Sequence, residues 1–181
     1  MGSGRSGMTT VRALTFHDAA ALATVRLEAL ENHGRFFTAD IDAERGRTRA
    51  DWEAAATETT GAAMFGAFRD GKLVAIAGVK PLPDDPAIAY WHSDYVRDGA
   101  RGGAVIGFLC RTREAWCRDH GYDEARFTIR KGNVVAEAYY TWRGAVVIGE
   151  EPRRFADGQT AAARWYRLPV LLAQKRQKTL G

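Results

Sequence analysis

Ala19, Leu22, Val25 and Ala29 recur three and four residues apart, the period of one helical face. The spacing predicts a first helix to about Glu31, opened by Thr15 as N-cap with Asp18 reaching back to it, and broken at Gly34. Ahead of it Val11–Thr15 reads as a short strand. Residues 35–49 are irregular, polar and Arg-rich with Phe36-Phe37 embedded, and a second short helix is expected over Arg49–Thr57. Ala63–Phe68 and Leu73–Lys80 are apolar runs around Arg69-Asp70-Gly71-Lys72, and an Asp-Gly pair between such runs predicts a hairpin. Pro81–Pro86 reads as a loop and Ala87–Val96 as a fourth strand.

The stretch from Tyr95 to Gly121, YVRDGARGGAVIGFLCRTREAWCRDHG, carries the strongest signal. A strand end runs into an Arg/Gly loop that opens directly into an amphipathic third helix. Val105, Phe108, Leu109, Thr112 and Trp116 are expected on its buried face, with Gly121 as its C′ stop. Free N–H groups and the positive end of a helix dipole then converge on one point, which suits a phosphate or diphosphate. Ala125–Arg130 reads as a fifth strand, Asn133 as the cap of a fourth helix ending near Gly144, and Ala145–Gly149 as a sixth strand. A polar loop, Glu150–Thr160, leads to a seventh strand at Arg164–Leu168. This order predicts a mixed α/β (α+β) domain, one sheet of six to seven strands with about four helices on both faces.

Composition changes this picture little. A chain of 181 residues, 46% of them hydrophobic, is enough for one domain with a real core. Residues 8–170 are assigned to that domain. The leading MGSGRSG looks like an expression scar ahead of a native start at Met8, and residues 171–181 form a basic tail. No apolar run approaches the roughly 18 residues that span a bilayer, so a cytoplasmic protein is expected. Cys110 and Cys117 lie two helical turns apart, about 10 Å, too far for a disulfide, and metal-ligand spacing is absent. The net charge of +4 favours an anionic ligand without indicating nucleic acid.

Four stretches resemble the GNAT N-acetyltransferase superfamily: VRALTFHDAAALATVRLEAL, MFGAFRDGKLVAIAGV, YVRDGARGGAVIGFLCRTREAWCRDHGY and FTIRKGNVVAEAYYTWRGAVVIGEE. Together they extend from about Val11 to Leu168. The resemblance implies a largely antiparallel sheet splayed between its fourth and fifth strands, with acetyl-CoA as co-substrate and no metal. It implies that Tyr95 and Val96 offer backbone groups to pantetheine. Arg101, Gly102, Gly103, Ala104, Val105 and Ile106 would cradle the diphosphate, Asn133 would stand beside the donor, and Tyr140 would protonate the departing thiolate. It implies a small-molecule or peptide amine as acceptor, attacking directly in a ternary complex, and dimers are common for the fold. Ala104 and Ile106 stand where the family's loop pattern has glycine or alanine. Two further readings therefore stay open: a GNAT-fold transferase taking its acyl group from aminoacyl-tRNA or a carrier protein, and a non-catalytic binding module.

His92 and Asp94 are ionisable groups on a predicted central strand, which is costly unless they are functional or paired. Strand alternation places Tyr90, His92 and Asp94 on one face, and Trp91, Ser93 and Tyr95 on the other. Either His92 or Asp94 is a candidate base or recognises a cationic acceptor, or they pair with Arg97 or Arg130. Phe36, Phe37 and Trp52 lie where the family's variable substrate loop falls, so the resemblance makes them, with Tyr90, candidate walls of an acceptor pocket, the alternative being local core that anchors the loop. The arginines at 35, 45, 47 and 49 form a solvated face or meet an acidic acceptor or partner.

Overall fold

The computed structural model describes residues 8–102 and 104–170. The leading segment, Gly103 of the expected cradle and the basic tail lie outside the described residues.

Seven strands form one sheet: β1 (Thr9–Ala13), β2 (Ala63–Arg69), β3 (Lys72–Leu82), β4 (Asp85–Val96), β5 (Glu124–Arg130), β6 (Val146–Arg154) and β7 (Thr160–Pro169). Five helices are found among the described residues: α1 (Ala19–His33), α2 (Ile41–Arg45), α3 (Arg49–Ala56), α4 (Val105–Asp119) and α5 (Val134–Trp142). The strand order is β1-β2-β3-β4-β5-β7-β6. Every neighbouring pair is antiparallel except β4 and β5. That parallel pair meets only at Ala89–Ala125 and Tyr90–Arg126, beyond which the two strands part.

Alternation along the strands gives the sheet two buried faces. Phe65, Ala77 and Val79 pack with Leu109, Cys110, Trp116 and Cys117 of α4 and with Tyr140 of α5. Met64, Ile76 and Tyr95 pack on the other side with Leu22, Val25 and Ala29 of α1 and Trp52 of α3. At the β2–β3 turn, Asp70 and Gly71 both have positive φ, 51° and 74°, as the Asp-Gly hairpin requires.

The structure departs from the sequence expectations in three stretches. The loop assigned to Pro81–Pro86 is mostly strand, because β3 and β4 continue to a tight turn. The loop assigned to Glu150–Thr160 is mostly strand as well. There β6 is an edge strand held by Lys131–Glu150 and Arg164–Glu150 ion pairs, so its sequence shows little apolar alternation. Within the irregular stretch 35–49 sits α2, started by Asp40, whose Oδ1 accepts from the N–H groups of Asp42 (3.0 Å) and Ala43 (3.2 Å). Five residues are too few to show a helical period.

Helix α4 is rotated from its expected face. Phe108 is exposed, and Arg113 is wholly buried with Val105, Leu109, Cys110, Trp116 and Cys117.

Candidate functional site

The site begins with a bulge in β4. His92 pairs with Gly78 and Tyr95 with Ile76, so two residues of β4 oppose one of β3. Ser93 takes a left-handed conformation there, φ 61°. The extra residue breaks the alternation and corrects the expected facing of the strand. Tyr90 and His92 remain on the α1 side, while Asp94 turns to the α4 side with Trp91. The two candidate bases are therefore separated by the sheet. His92 lies flat across Gly78, where a Cβ would come within 2.3 Å of the imidazole Cε1.

Asp94 meets Arg113, not Arg97 or Arg130. Arg97 is paired with Glu28 and Arg130 with Asp157. Arg113 grips Asp94 with both ends of its guanidinium, Nη1 to Oδ1 at 2.5 Å and Nη2 to Oδ2 at 2.8 Å. Nη1 also donates to the Gly78 carbonyl at 3.1 Å, and the guanidinium stacks 3.8 Å from the Trp91 ring centroid. Such a bidentate, stacked arrangement suits arginine and not lysine. Tyr140 of α5 donates its hydroxyl to Asp94 Oδ2 and lies 3.4 Å from Arg113 Nη2. Phe127 supports the ring at 4.5 Å between centroids. Burial first, and then the Asp94 charge, raise the Tyr140 pKa well above its ordinary value, so the phenol keeps its proton. Burial would lower the pKa of Arg113, but Asp94 outweighs it and the guanidinium stays charged.

A cavity of about 830 Å³ joins the two sides through the parted strands. Phe36, Phe37, Trp52, Tyr90, His92, Asp94, Asn133 and Tyr140 all line it, so residues far apart in sequence share one space. Asn133 also caps α5, its Oδ1 accepting from the Ala136 N–H at 3.4 Å. Burial first, then the charges of Lys80, Arg26, Arg113 and Arg47, push the His92 pKa down to about 3, so the ring is neutral near pH 7. Its Nδ1 is 2.9 Å from Ser93 Oγ.

The expected diphosphate cradle lies at the mouth of α4. Ala104 is the N-cap and, among the described residues, no side chain caps the helix. Gly102 has φ 80°, a conformation that favours glycine. Ile106 is half-buried and packs against the core beneath α4. Arg101 reaches back toward β4. Its Nε donates to the Val96 carbonyl at 3.1 Å, its Nη1 meets Asp98 at 2.9 Å, and its Nη2 lies 3.1 Å from His33 Nε2. The Tyr95 hydroxyl donates to Glu28 Oε1 at 2.9 Å. Burial and then Glu28 raise its pKa to about 12.

Sequence reasoning missed Arg113, Gly78 and the Ser93 bulge. One signal pointed to Arg113: it stands at the apolar spacing of Val105, Leu109 and Trp116, where a solvated arginine has no place. No group of His, Cys, Asp or Glu arranged to hold a metal occurs among the described residues, and no described helix is long and apolar enough to cross a membrane.

The family model described as Acetyltransferase (GNAT) family matches residues 25–145. No curated protein sequence matches. Among solved structures, the chain is similar to an acetyltransferase of the GNAT family from Streptococcus pneumoniae, with TM-score 0.76, 18% identity, 90% of this chain and 99% of that one covered. A GCN5-related N-acetyltransferase from Kribbella flavida gives TM-score 0.72 at 20% identity over 89% of this chain and 97% of that one. The PaiA N-acetyltransferase of Thermoplasma acidophilum, solved in complex with coenzyme A, gives TM-score 0.68 at 15% identity over 90% and 99%.

Proposed function

Because the chain belongs to the GNAT acetyltransferase family, we propose that it transfers an acetyl group from acetyl-CoA to a primary amine by direct attack in a ternary complex. The observation that carries this reading is the protonated Tyr140 hydroxyl in the cavity at the parting of β4 and β5, with aromatic walls further along the same space.

The residues at the α4 mouth fit a nucleotide thioester. Uncapped N–H groups and the helix dipole would hold the diphosphate. Ile106 is packed on the core, and Gly102 supplies the turn. Tyr95 and Val96 stand on the part of β4 that β5 leaves unpaired, where a pantetheine arm would lie. Arg101 shares the Val96 carbonyl with that arm.

The amine nitrogen forms a bond to the acetyl carbon as the carbon–sulfur bond breaks. The leaving sulfur takes a proton from Tyr140, and the amine nitrogen gives one up to water. Arg113, already bonded to Asp94, offsets only part of the charge that Tyr140 acquires, because burial and Asp94 hold the phenol's pKa well above its ordinary value. Asp94 has both oxygens on Arg113, so it positions Tyr140 and is not the proton acceptor. His92 is too weak a base to deprotonate an alkylammonium, and serves as a neutral hydrogen-bonding partner for the amine. An amine of pKa near 10.4 is about 0.1% neutral at pH 7.4, a cost of roughly 4 kcal/mol. The burial that chiefly keeps His92 neutral, with the positive charges around it, also disfavours an ammonium beside it and lowers that cost.

Calorimetry with acetyl-CoA and with CoA, followed by thiol-release assays on an amine panel, tests the reading. Heat with both ligands and acetyl-CoA-dependent thiol release are expected. Tyr140→Phe should lower kcat about 100-fold or more with donor affinity kept. Absence of heat with either ligand would overturn the proposal.

A further inference from the structure

Arg26 of α1 and Glu44 of α2 form an ion pair at 3.1 Å with both side chains nearly buried against the cavity. Its geometry is incomplete. Arg26 Nη2 bonds Glu44 Oε1, while Arg26 Nη1 is buried with no hydrogen-bond partner among the described residues. A buried guanidinium N–H without an acceptor is costly, and a ligand oxygen would remove the cost. The other Glu44 oxygen lies 3.4 Å from a second arginine, Arg47 Nε, an ion-pair contact without a hydrogen bond, and it too is buried with no hydrogen-bond partner among the described residues. One carboxylate is thus shared by two guanidinium groups, and the trio carries a net positive charge. Arg47 lies over the Trp52 ring at 4.9 Å and Arg26 over Phe37 at 5.5 Å, so both flank the aromatic walls.

Lys80 of β3 lines the same cavity, over the Tyr90 ring at 5.7 Å, and makes no ion pair among the described residues. The other lining charges are engaged or lie outward. Asp94 is held by Arg113 and Arg153 by Glu151, Asp40 caps α2 through Oδ1 and is exposed, and Asp84 is exposed at the β3–β4 turn. Arg26 of α1, Arg47 of the loop between α2 and α3, and Lys80 of β3 all line the cavity that His92 lines, where the amine is expected.

We infer that the acceptor amine carries a carboxylate, seated by Arg26 Nη1 with Arg47 and Lys80, so the substrate class is acidic amines such as a free amino acid or a peptide with an acidic group beside its reactive amine. The inference rests on the transferase reading for the amine, but the carboxylate seat can be tested without turnover. A carboxylate makes short, charge-assisted bonds to guanidinium, and Arg26 already has one donor in position. Glu44 carries one charge against the two of Arg26 and Arg47, so an anion entering on the Nη1 side meets net attraction, while Glu44 Oε2 stays open to a hydrogen-bond donor.

The test compares L-glutamate, a dipeptide beginning with glutamate, glutamate dimethyl ester and n-butylamine as acceptors, with acetyl-CoA saturating. The parent should prefer at least one carboxylate-bearing amine to the ester and to butylamine by tenfold or more in kcat/KM, and salt should erode that preference. Success with the free amino acid or only with the dipeptide identifies which source supplies the carboxylate. In Arg47→Gln and Lys80→Gln, both at exposed or half-exposed positions, the preference should fall toward one through KM. Arg26→Gln should do the same, with calorimetric acetyl-CoA binding as the check that it folds. A parent that uses butylamine or the ester as well as the carboxylates overturns the inference and leaves the transferase reading standing. A parent that acetylates none of the amines, yet binds N-acetylglutamate in a salt-sensitive way that Arg47→Gln weakens, keeps the carboxylate seat and counts against the transferase reading. Failure of N-acetylglutamate to bind in that case overturns the inference too.

Discussion

Arg113 shows how much one side chain decides in this site. It holds Asp94, caps the Gly78 carbonyl, lies on Trp91 and adjoins the Tyr140 hydroxyl. Removing one partner of a buried pair leaves the other uncompensated, at about 3–5 kcal/mol. Arg113→Met should therefore destabilise the chain by about that amount, read from the midpoint of urea unfolding. Loss of less than about 1 kcal/mol would show that Asp94 is hydrated and the network weak. Asp94 and His92 were legible as costly ionisable residues on a central strand. Their partners were not, because one inserted residue at Ser93 turns Asp94 to the other face, and a bulge has no signature in strand alternation. Phe36, Phe37, Trp52 and Tyr90, named from the sequence as candidate walls, all line the cavity, although Phe36 and Phe37 come from the segment between α1 and α2, Trp52 from α3 and Tyr90 from β4.

At the scale of elements, the loop into α4 and the helix itself form a unit whose length and order were readable from the Arg/Gly run and the Gly121 stop. The rotation of the helix left one trace, the spacing of Arg113 with Val105, Leu109 and Trp116, and was masked because Phe108 and Arg113 exchange the exposures their chemistry suggests. Arg101 sits between this helix and the end of β4, bonded to Val96, Asp98 and His33. We predict that Arg101→Glu, which places an acid beside the diphosphate seat, weakens CoA binding about tenfold or more, equivalent to roughly 1.4 kcal/mol. Ile106→Gly should leave CoA affinity unchanged or raise it, while costing α4 about 1 kcal/mol of helix stability. Isothermal titration separates the two. Equal affinity in Arg101→Glu and the parent would remove Arg101 from the donor site.

Across the whole molecule, stability should carry the mark of His92. Its pKa is about 3 in the folded chain against about 6.5 unfolded, so between these values the unfolded chain binds a proton that the folded one refuses. Stability is complete above about pH 6.5 and falls as pH drops toward 3, by at most about 1.4 kcal/mol per pH unit. Asp18, held at about 2 by its hydrogen bonds from Arg12 against an ordinary value near 3.8, has the same sign in a lower window: its contribution is present above pH 3.8 and lost as pH falls through 2. Denaturant unfolding of the parent and His92→Gln at pH 7.5 and pH 5.5 checks the first window. The parent should lose more stability on acidification than the variant, and equal losses would mean that the imidazole is hydrated in the cavity.

The sequence by itself determined the element order apart from α2, the hairpin, the helix opened by an Arg/Gly loop and the likeness to GNAT acetyltransferases, because periodicity, caps and turns are local properties of a chain. Tertiary structure alone decided which face His92 and Asp94 occupy, which arginine neutralises which acid, and that residues from α1, α2, β3 and β4 line one cavity. These depend on a single extra residue in a ladder and on packing between distant segments, and neither leaves a periodic trace along the chain.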